Sequence, residues 1–198
     1  MPLFHKGSAV LETDRLLLRP FLMSDAEYMY DNWAKDPRVT EYLLWRAHPN
    51  LEATKEVLSI WTRSYVEPDF YLWAIVHKEL RQPIGSISIT GLKEISLRGE
   101  IGYCIGYDYW GQGFTTEALK KVIEFGFKKV GFERLQATHF ENNPASGRVM
   151  QKAGMKKEGV LRHYLQDHHG NFTNSSIWAI ISSDLENNLT DSNGYSII

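Results

Sequence analysis

The segment from Tyr109 to Ala118 has the residue types of an anion-binding turn. It reads Tyr-Trp-Gly-Gln-Gly-Phe-Thr-Thr-Glu-Ala and places Gly111 and Gly113 directly before an amphipathic stretch. Glycines let a backbone approach a ligand closely, and a helix N-terminus offers unpaired N–H groups and the positive end of the helix dipole. The segment therefore suits a phosphate or pyrophosphate group.

Other interpretations of this turn fit less well. A Rossmann dinucleotide fingerprint would need a third glycine where Thr116 stands, and it would follow the first strand of a βαβ unit. A phosphate-loop NTPase would need Gly-Lys-Ser/Thr at the end of the loop, and no lysine stands there. A purely structural glycine turn is the remaining alternative, so the surrounding elements must decide.

The elements before the turn predict helices packed on an antiparallel meander. Helical spacing of apolar residues indicates two helices, and Ser24-Asp25 is expected to cap the first. Runs rich in β-branched and aromatic residues, separated by Gly, Pro and charged turns, indicate strands. The predicted order is strand 15–21, helices 26–33 and 51–61, and strands 70–77, 84–90 and 99–106.

The elements after the turn begin with an amphipathic helix from Thr116 to about Val130. Asn143-Pro144 is expected to open a second helix, with asparagine as its N-cap and proline at the first helical position, and Gly154 to end it. Strands are predicted at 134–140, 159–165 and 172–181, the last two forming a hairpin. The tail from residue 186 has little to bury.

In this setting the turn resembles the acetyl-CoA loop of the GNAT superfamily of N-acetyltransferases, Gln/Arg-x-x-Gly-x-Gly/Ala between the fourth strand and the following helix. Residues 110–115 align with it, although Trp110 replaces the first Gln/Arg and Thr115 the final Gly/Ala. A wider match is to the branch of ribosomal-protein (alanine/serine) N-alpha-acetyltransferases. That branch has a Tyr-Trp-Gly-x-Gly-Tyr-Ala-Thr-Glu-Ala type of loop.

Further segments fit the same branch: residues 12–16, 100–103, 143–146 and 152–155. The resemblance covers about residues 11–185 and implies a GNAT-like α/β (α+β) fold. The sheet would be mixed and mostly antiparallel, flanked by helices, and splayed at the family's strands 4 and 5. Residues 1–198 would form one domain with a polar tail at 186–198. Gly170 is followed by Asn174 where the branch often has Asp, a departure from its pattern.

The resemblance implies acetyl-CoA as co-substrate and no metal. Backbone N–H groups of residues 112–115 would bind the pyrophosphate, and Gly102 and Gly106 would form a β-bulge that splays the strand. The residues expected to contact the cofactor are Tyr103, Cys104, Ile105, Gln112, Gly113, Phe114, Thr115, Thr116, Asn143 and Ser146.

Acetyl transfer to an amine needs a base for the amine and a tolerable thiolate leaving group. Glu100 is the candidate base, since relatives often place a carboxylate in this strand; the alternative is a glutamate paired with Arg98. Ser146 is the candidate that assists departure of the thiolate, because the position where several GNAT enzymes have a tyrosine is Met150 here. A serine in the first turn of a helix is also commonly a cap.

Other reactive residue types have plainer explanations. Cys104 could be a nucleophile, but a cysteine in a strand is usually a small buried hydrophobe. The Asp-His-His run at 167–169 lacks the ligand spacing of a zinc site and fits a solvated turn. Tyr42 and Trp45, between the first two helices, are the expected acceptor-binding residues.

Composition limits the partners. The 198 residues include 22 Lys+Arg and 24 Asp+Glu, for a formal net charge of -2, so no global field recruits nucleic acid or a membrane. A single cysteine and the absence of a signal-like run after Met1 favour a reducing, cytoplasmic setting. A monomer and a homodimer both remain open.

The sequence therefore predicts an acetyl-CoA-dependent N-acetyltransferase whose acceptor amine attacks directly in a ternary complex. The acceptor favoured by the resemblance is a protein or peptide N-terminus. The alternatives are a small-molecule amine, such as an aminoglycoside, polyamine or amino acid, and a non-catalytic acyl-CoA-binding module.

Overall fold

The computed structural model describes residues 2–185 and has one eight-stranded sheet in the order β1-β2-β3-β4-β5-β6-β8-β7. All neighbouring strands are antiparallel except β5 and β6, which are parallel. The strands are β1 Leu11–Glu12, β2 Leu16–Arg19, β3 Tyr71–His77, β4 Gln82–Lys93, β5 Arg98–Ile105, β6 Arg134–Phe140, β7 Lys156–Gln166 and β8 Phe172–Ile181.

Five α-helices lie between the strands. They are α1 Ala26–Met29, α2 Pro37–Thr40, α3 Leu51–Ser64, α4 Phe114–Phe125 and α5 Pro144–Lys152. Two of them continue into a wider π-helical turn, α1 over Tyr30–Ala34 and α4 over Gly126–Val130. In the described range, no helix is long and apolar enough to cross a membrane.

The sheet is covered on both faces, which explains why its central strand β3 is an unbroken apolar run. Tyr71, Trp73 and Ile75 belong to the core cluster that includes α4 and α5. The alternate residues Leu72 and Ala74, with Val76, belong to the cluster that includes α1 and α3. Because side chains alternate along a strand, the two clusters lie on opposite faces of the sheet.

The predicted meander, the helix after the turn and the final hairpin are confirmed, as is the start of α5 at Pro144. The single helical turn α2, which begins at Pro37 behind the cap Asp36, was not among the predicted elements. The predicted polar tail from residue 186 lies outside the described residues.

Asp25 stands at the N-cap position of α1, as the Ser24-Asp25 pair predicts, but its side chain makes no capping hydrogen bond to this helix. Its carboxylate instead accepts the backbone N–H of Leu22 at 2.8 Å and forms an ion pair with Arg19. The bulge expected at Gly102 is absent, since β4 and β5 pair regularly from Gly85↔Ile105 to Thr90↔Glu100. The irregularity in this pair lies further along β4, after Thr90.

Gly106 has a different role from the one predicted. It follows β5, and a Cβ on it would lie 2.4 Å from the backbone oxygen of Asn32. A glycine is therefore required where the π-helical turn after α1 packs against the end of β5.

Candidate active site

A wedge-shaped gap opens between β5 and β6. The two strands pair only at Arg98, Gly99 and Glu100 on the β5 side. Beyond Glu100, β5 continues alongside β4, and β6 continues alongside β8. Since backbone N–H and C=O groups need partners, the edges that face this gap can accept an extended ligand. This is the splay predicted between the family's fourth and fifth strands.

Tyr103 and Ser146 meet on one side of the gap. The Tyr103 hydroxyl lies 2.9 Å from Ser146 Oγ and also donates to the Ser146 carbonyl at 3.1 Å. Burial raises the pKa of the Tyr103 phenol far above its ordinary value, and the Ser146 hydrogen bond only partly offsets this. The phenol therefore keeps its proton at neutral pH, and the pair forms a connected set of two hydroxyls.

The position of Ser146 follows from how α5 begins and packs. Asn143 is the N-cap, and its side-chain oxygen accepts the Ser146 backbone N–H at 3.3 Å. One residue on, a Cβ at Gly147 would lie 2.8 Å from Nε2 of His139. The cap and the close approach together hold the first turn of α5 against β6. Because the Asn143 side chain caps the helix, the Ser146 hydroxyl does not have to.

Glu100 lies on the opposite face of the sheet from Tyr103, since the two are an odd number of residues apart on β5. Its carboxylate accepts from Thr138 Oγ1 at 3.1 Å and from Gln136 Nε2 at 3.4 Å. Within the described residues it forms no ion pair with Arg98, the alternative considered from sequence. Two donors from β6 thus hold a carboxylate at the point where the strands separate.

The glycine turn ends in an uncapped helix. Gly113 is the N-cap of α4 with φ +82°, and no side chain bonds to the first backbone N–H groups of the helix. The side chain of Gln112 does not reach these N–H groups, because it donates to the Asp108 carbonyl at 2.9 Å. Thr115 is buried and Thr116 is half-buried. The N–H groups at this end remain free for an external anion.

The side chain of Arg15 links the N-terminal segment to this turn. It forms an ion pair with Glu117 at 2.7 Å, donates to the Gln112 carbonyl at 3.1 Å, and lies 4.3 Å above the ring centroid of Phe114. Thr13 donates to the same Glu117 carboxylate at 2.5 Å. The segment 12–16 resembles a family motif, and in the structure it supports the glycine turn about 100 residues away in the chain.

Cys104 is half-buried and packs on the second core cluster. Burial raises the pKa of its thiol, and hydrogen bonding to Ser86, whose Oγ lies 3.3 Å from the sulfur, offsets this only in part. A protonated, desolvated thiol is a poor nucleophile. Ile105 ends β5, and its carbonyl accepts from Trp110 Nε1 at 2.9 Å.

The loop that contains Tyr42 and Trp45 reaches the hairpin of β7 and β8. Arg46 donates twice to the His168 carbonyl, at 3.0 and 2.8 Å. Trp45 contacts His48 in a tilted arrangement, with ring centroids 5.3 Å apart, and packs on the second core cluster. The structure does not bring Tyr42 or Trp45 to the cavity beside Glu100, whose volume is ≈ 550 Å³.

The Asp167-His168-His169 turn is held by its own hydrogen bonds. The Asp167 carboxylate accepts the backbone N–H groups of Asn171 and His169, and the Asn171 bond is the main reason why the pKa of Asp167 falls below its ordinary value. Over residues 2–185, no group of three or more His, Cys, Asp or Glu side chains is arranged to hold a metal ion.

Residues 15–156 match the family model described as the acetyltransferase (GNAT) domain. The chain belongs to the GNAT acetyltransferase family. Among curated proteins it is 33% identical over 172 residues to the uncharacterized N-acetyltransferase YoaA of Bacillus subtilis, covering 87% of this chain and 96% of that one. It is 23% identical over 159 residues to the [ribosomal protein uS5]-alanine N-acetyltransferase of Escherichia coli, covering 78% and 82%.

The fold agrees with that of solved GNAT structures. A crystal structure of ribosomal-protein-S5-alanine acetyltransferase from Vibrio fischeri superposes with a TM-score of 0.78 at 22% identity, covering 89% of this chain and 98% of that one. The gap between β5 and β6 and the uncapped start of α4 are therefore features of a GNAT N-acetyltransferase, which uses acetyl-CoA.

Proposed function

We propose that this GNAT enzyme transfers the acetyl group of acetyl-CoA to the α-amine of a protein or peptide N-terminus, by direct attack in a ternary complex. The observation that carries the proposal is the arrangement around the gap between β5 and β6. A carboxylate, that of Glu100, lies on one face of the sheet, and the hydroxyls of Tyr103 and Ser146 meet on the other.

The chain's own groups fit acetyl-CoA as the donor. The uncapped N–H groups after Gly113 suit its pyrophosphate, and the gap between the strands suits an extended arm that continues from there. Acetyl-CoA supplies the acetyl group as a thioester. The remaining tasks, which are to orient the reactants and to move two protons, fall to side chains of this protein.

Glu100 is the proposed base for the acceptor amine. Thr138 and Gln136 both donate to its carboxylate, which orients it and leaves lone pairs free for the incoming amine. An α-amine has a pKa of about 7.7–8.0 and a lysine side chain about 10.4, so an N-terminal amine loses its proton far more readily at neutral pH. A single carboxylate is then an adequate base.

The Tyr103–Ser146 pair is the proposed proton donor to the departing sulfur. Proton transfer needs a hydrogen bond of about 2.6–3.2 Å, and the two hydroxyls satisfy this distance. Ser146 passes its proton to the departing thiolate and regains one through Tyr103, and the proton that Glu100 takes from the amine is returned by way of solvent when the products leave. The helix α5 has Met150 where several GNAT enzymes have a tyrosine, and here the tyrosine comes from β5.

The choice of a protein N-terminus as the acceptor is based on the names of similar proteins. The E. coli relative and the V. fischeri structure are both named for acetylation of a ribosomal-protein alanine, at 23% and 22% identity. A small-molecule acceptor and a non-catalytic acyl-CoA-binding module are the alternatives that an experiment must separate.

The test is calorimetric titration with acetyl-CoA, followed by measurement of free-thiol release. Acceptors would be peptides with free α-amines, an aminoglycoside, a polyamine and free amino acids. The proposal expects binding, and faster release with peptides than with any small amine. Binding with release only from small amines would contradict the acceptor, and binding without release from any amine would favour the non-catalytic module.

A further inference from the structure

Three cationic side chains form a row across three adjacent strands next to Glu100. Lys93 on β4 is the register partner of Arg98 on β5, and Arg98 is the register partner of Arg134 on β6. Register partners project from the same face of a sheet. All three line the cavity of ≈ 550 Å³ that Glu100 also lines.

Two of the three charges in this row, those of Lys93 and Arg98, have no ion-pair partner among the described residues. Arg134 forms a two-pronged ion pair with Glu158, with distances of 2.8 and 2.6 Å. Among residues 2–185, neither Lys93 nor Arg98 has a carboxylate within ion-pair distance. Like charges on directly opposite residues destabilise a sheet, so an anion bound between Lys93 and Arg98 would relieve their repulsion.

The row is far from the proposed pyrophosphate site. Arg98 begins β5, whereas the glycine turn follows Ile105 at the other end of the strand. Seven residues of extended chain span about 23 Å. An anion bound at Arg98 therefore belongs to the acceptor and not to the phosphates of acetyl-CoA.

We propose that Arg98 and Lys93 bind a carboxylate of the acceptor, so that the enzyme prefers an amine with a nearby acidic group. This inference rests on the proposed function, in which the amine is placed at Glu100. Arg98 and Glu100 are two residues apart on the same face of β5, which separates them by about 7 Å. An α-amine and the side-chain carboxylate of an acidic residue at peptide position one or two span that separation.

Gln136 connects the two halves of this site. Its amide N–H donates to Glu100, and its amide oxygen accepts from Arg134 at 3.4 Å. The Gln136 amide is therefore oriented by Glu100 on one side and by Arg134 on the other. An acceptor held at both ends would place its amine against the Glu100 carboxylate.

The experiment compares thiol release with two peptides that begin Ala-Glu and Ala-Gln and are otherwise identical. We expect kcat/KM to be about tenfold higher for Ala-Glu, the size of one charge-assisted hydrogen bond. Arg98→Gln is expected to bring the ratio of the two kcat/KM values close to one, mainly through KM for Ala-Glu. Lys157→Gln, an exposed cation on β7 outside the cavity, is the matched control and should leave the ratio unchanged.

Equal kcat/KM values for the two peptides in the unmodified enzyme would overturn the inference, as would a preference that survives Arg98→Gln. Thermal melting of each variant verifies that it is folded. No release with either peptide, while acetyl-CoA still binds, would overturn the proposed function itself. A second comparison uses free glutamate and free glutamine as acceptors. If the kcat/KM ratio of glutamate to glutamine exceeds that of the Ala-Glu peptide to the Ala-Gln peptide, the carboxylate that binds Arg98 belongs to a small acceptor and not to a peptide.

Discussion

The hydroxyl of Tyr103 lies 2.9 Å from Oγ of Ser146, across the space between β5 and the first turn of α5. This contact joins a strand residue and a helix residue 43 positions apart in the chain. It places two hydroxyls beside the opening where β5 and β6 separate, and burial keeps the phenol protonated. Proton donation to a leaving thiolate is the role that this geometry supports.

The first prediction concerns that pair. Ser146→Ala and Tyr103→Phe should each lower kcat by roughly 10–100-fold, the usual range for loss of a proton donor, with little change in acetyl-CoA affinity. Because the two act as one unit, the double variant should be hardly slower than either single one. Steady-state kinetics and calorimetry provide the measurements.

Tyr65→Phe is the matched control for the loss of a buried phenol. The Tyr65 hydroxyl donates to the Leu72 carbonyl and accepts from the Phe21 N–H, on the other face of the sheet. This variant should lower the melting temperature and leave kcat unchanged. If Ser146→Ala behaves like Tyr65→Phe, the serine is structural.

The second prediction concerns the base. Glu100→Gln should lower kcat/KM by about a hundredfold and leave acetyl-CoA affinity unchanged. Glu27→Gln, at an exposed position on α1, is the control and should match the parent. A kcat/KM for Glu100→Gln equal to that of the parent would remove Glu100 from this role.

The third prediction compares two glycines that have similar positive φ angles. Gly113 has φ +82° at the start of α4, and Gly131 has φ +89° with open space around it, after the turn that ends the α4 segment. Alanine at either position should cost stability, because L residues rarely adopt this conformation. Only Gly113→Ala should weaken acetyl-CoA binding in calorimetry, by about tenfold or more. Equal affinities in both variants would contradict the loop assignment.

The fourth prediction is a pH dependence of stability. Burial raises the pKa of the Glu117 carboxyl, but hydrogen bonds from Thr13 and Arg15 outweigh this and lower it below the ordinary value. A lowered pKa means that the stabilisation is present above the unfolded value of about 4.3 and is lost as the pH falls through the folded value. Glu117→Gln should therefore cost about 1 kcal/mol at pH 7 and much less below pH 4.

Urea unfolding at the two pH values measures this difference. Glu12→Gln is the control, because the Glu12–Lys78 pair is exposed and 3.1 Å long. It should change the free energy of unfolding little at either pH. A cost for Glu117→Gln that does not depend on pH would show that Thr13 and Arg15 do not bind the carboxylate form.

The local elements of the fold were predictable from sequence because their signals are local. Asn143-Pro144 gives the cap and first residue of α5, and the glycines of the turn lead into α4. Asp25 stands at the predicted N-cap position of α1, but its side chain binds Arg19 instead of capping the helix, and that pairing depends on how the end of β2 meets the start of α1.

The site was only partly predictable, because its contacts join distant segments. Glu100 and Ser146 were identified individually, but their partners Gln136, Thr138 and Tyr103 follow from the parallel register of β5 with β6 and from the docking of α5. The cationic row likewise exists only once strands β4, β5 and β6 are aligned. No periodicity within one segment reports such a relationship.

The most direct test of the account is thiol release from acetyl-CoA with one peptide in two forms, free and blocked at the N-terminus, each with an internal lysine. We predict release with the free peptide alone, and an acetyl group on its α-amine by mass spectrometry, because an α-amine is far more easily deprotonated by the proposed base Glu100 than a lysine side chain is. Equal release from both forms, or acetylation at the lysine, would contradict the assignment of an N-terminal acceptor.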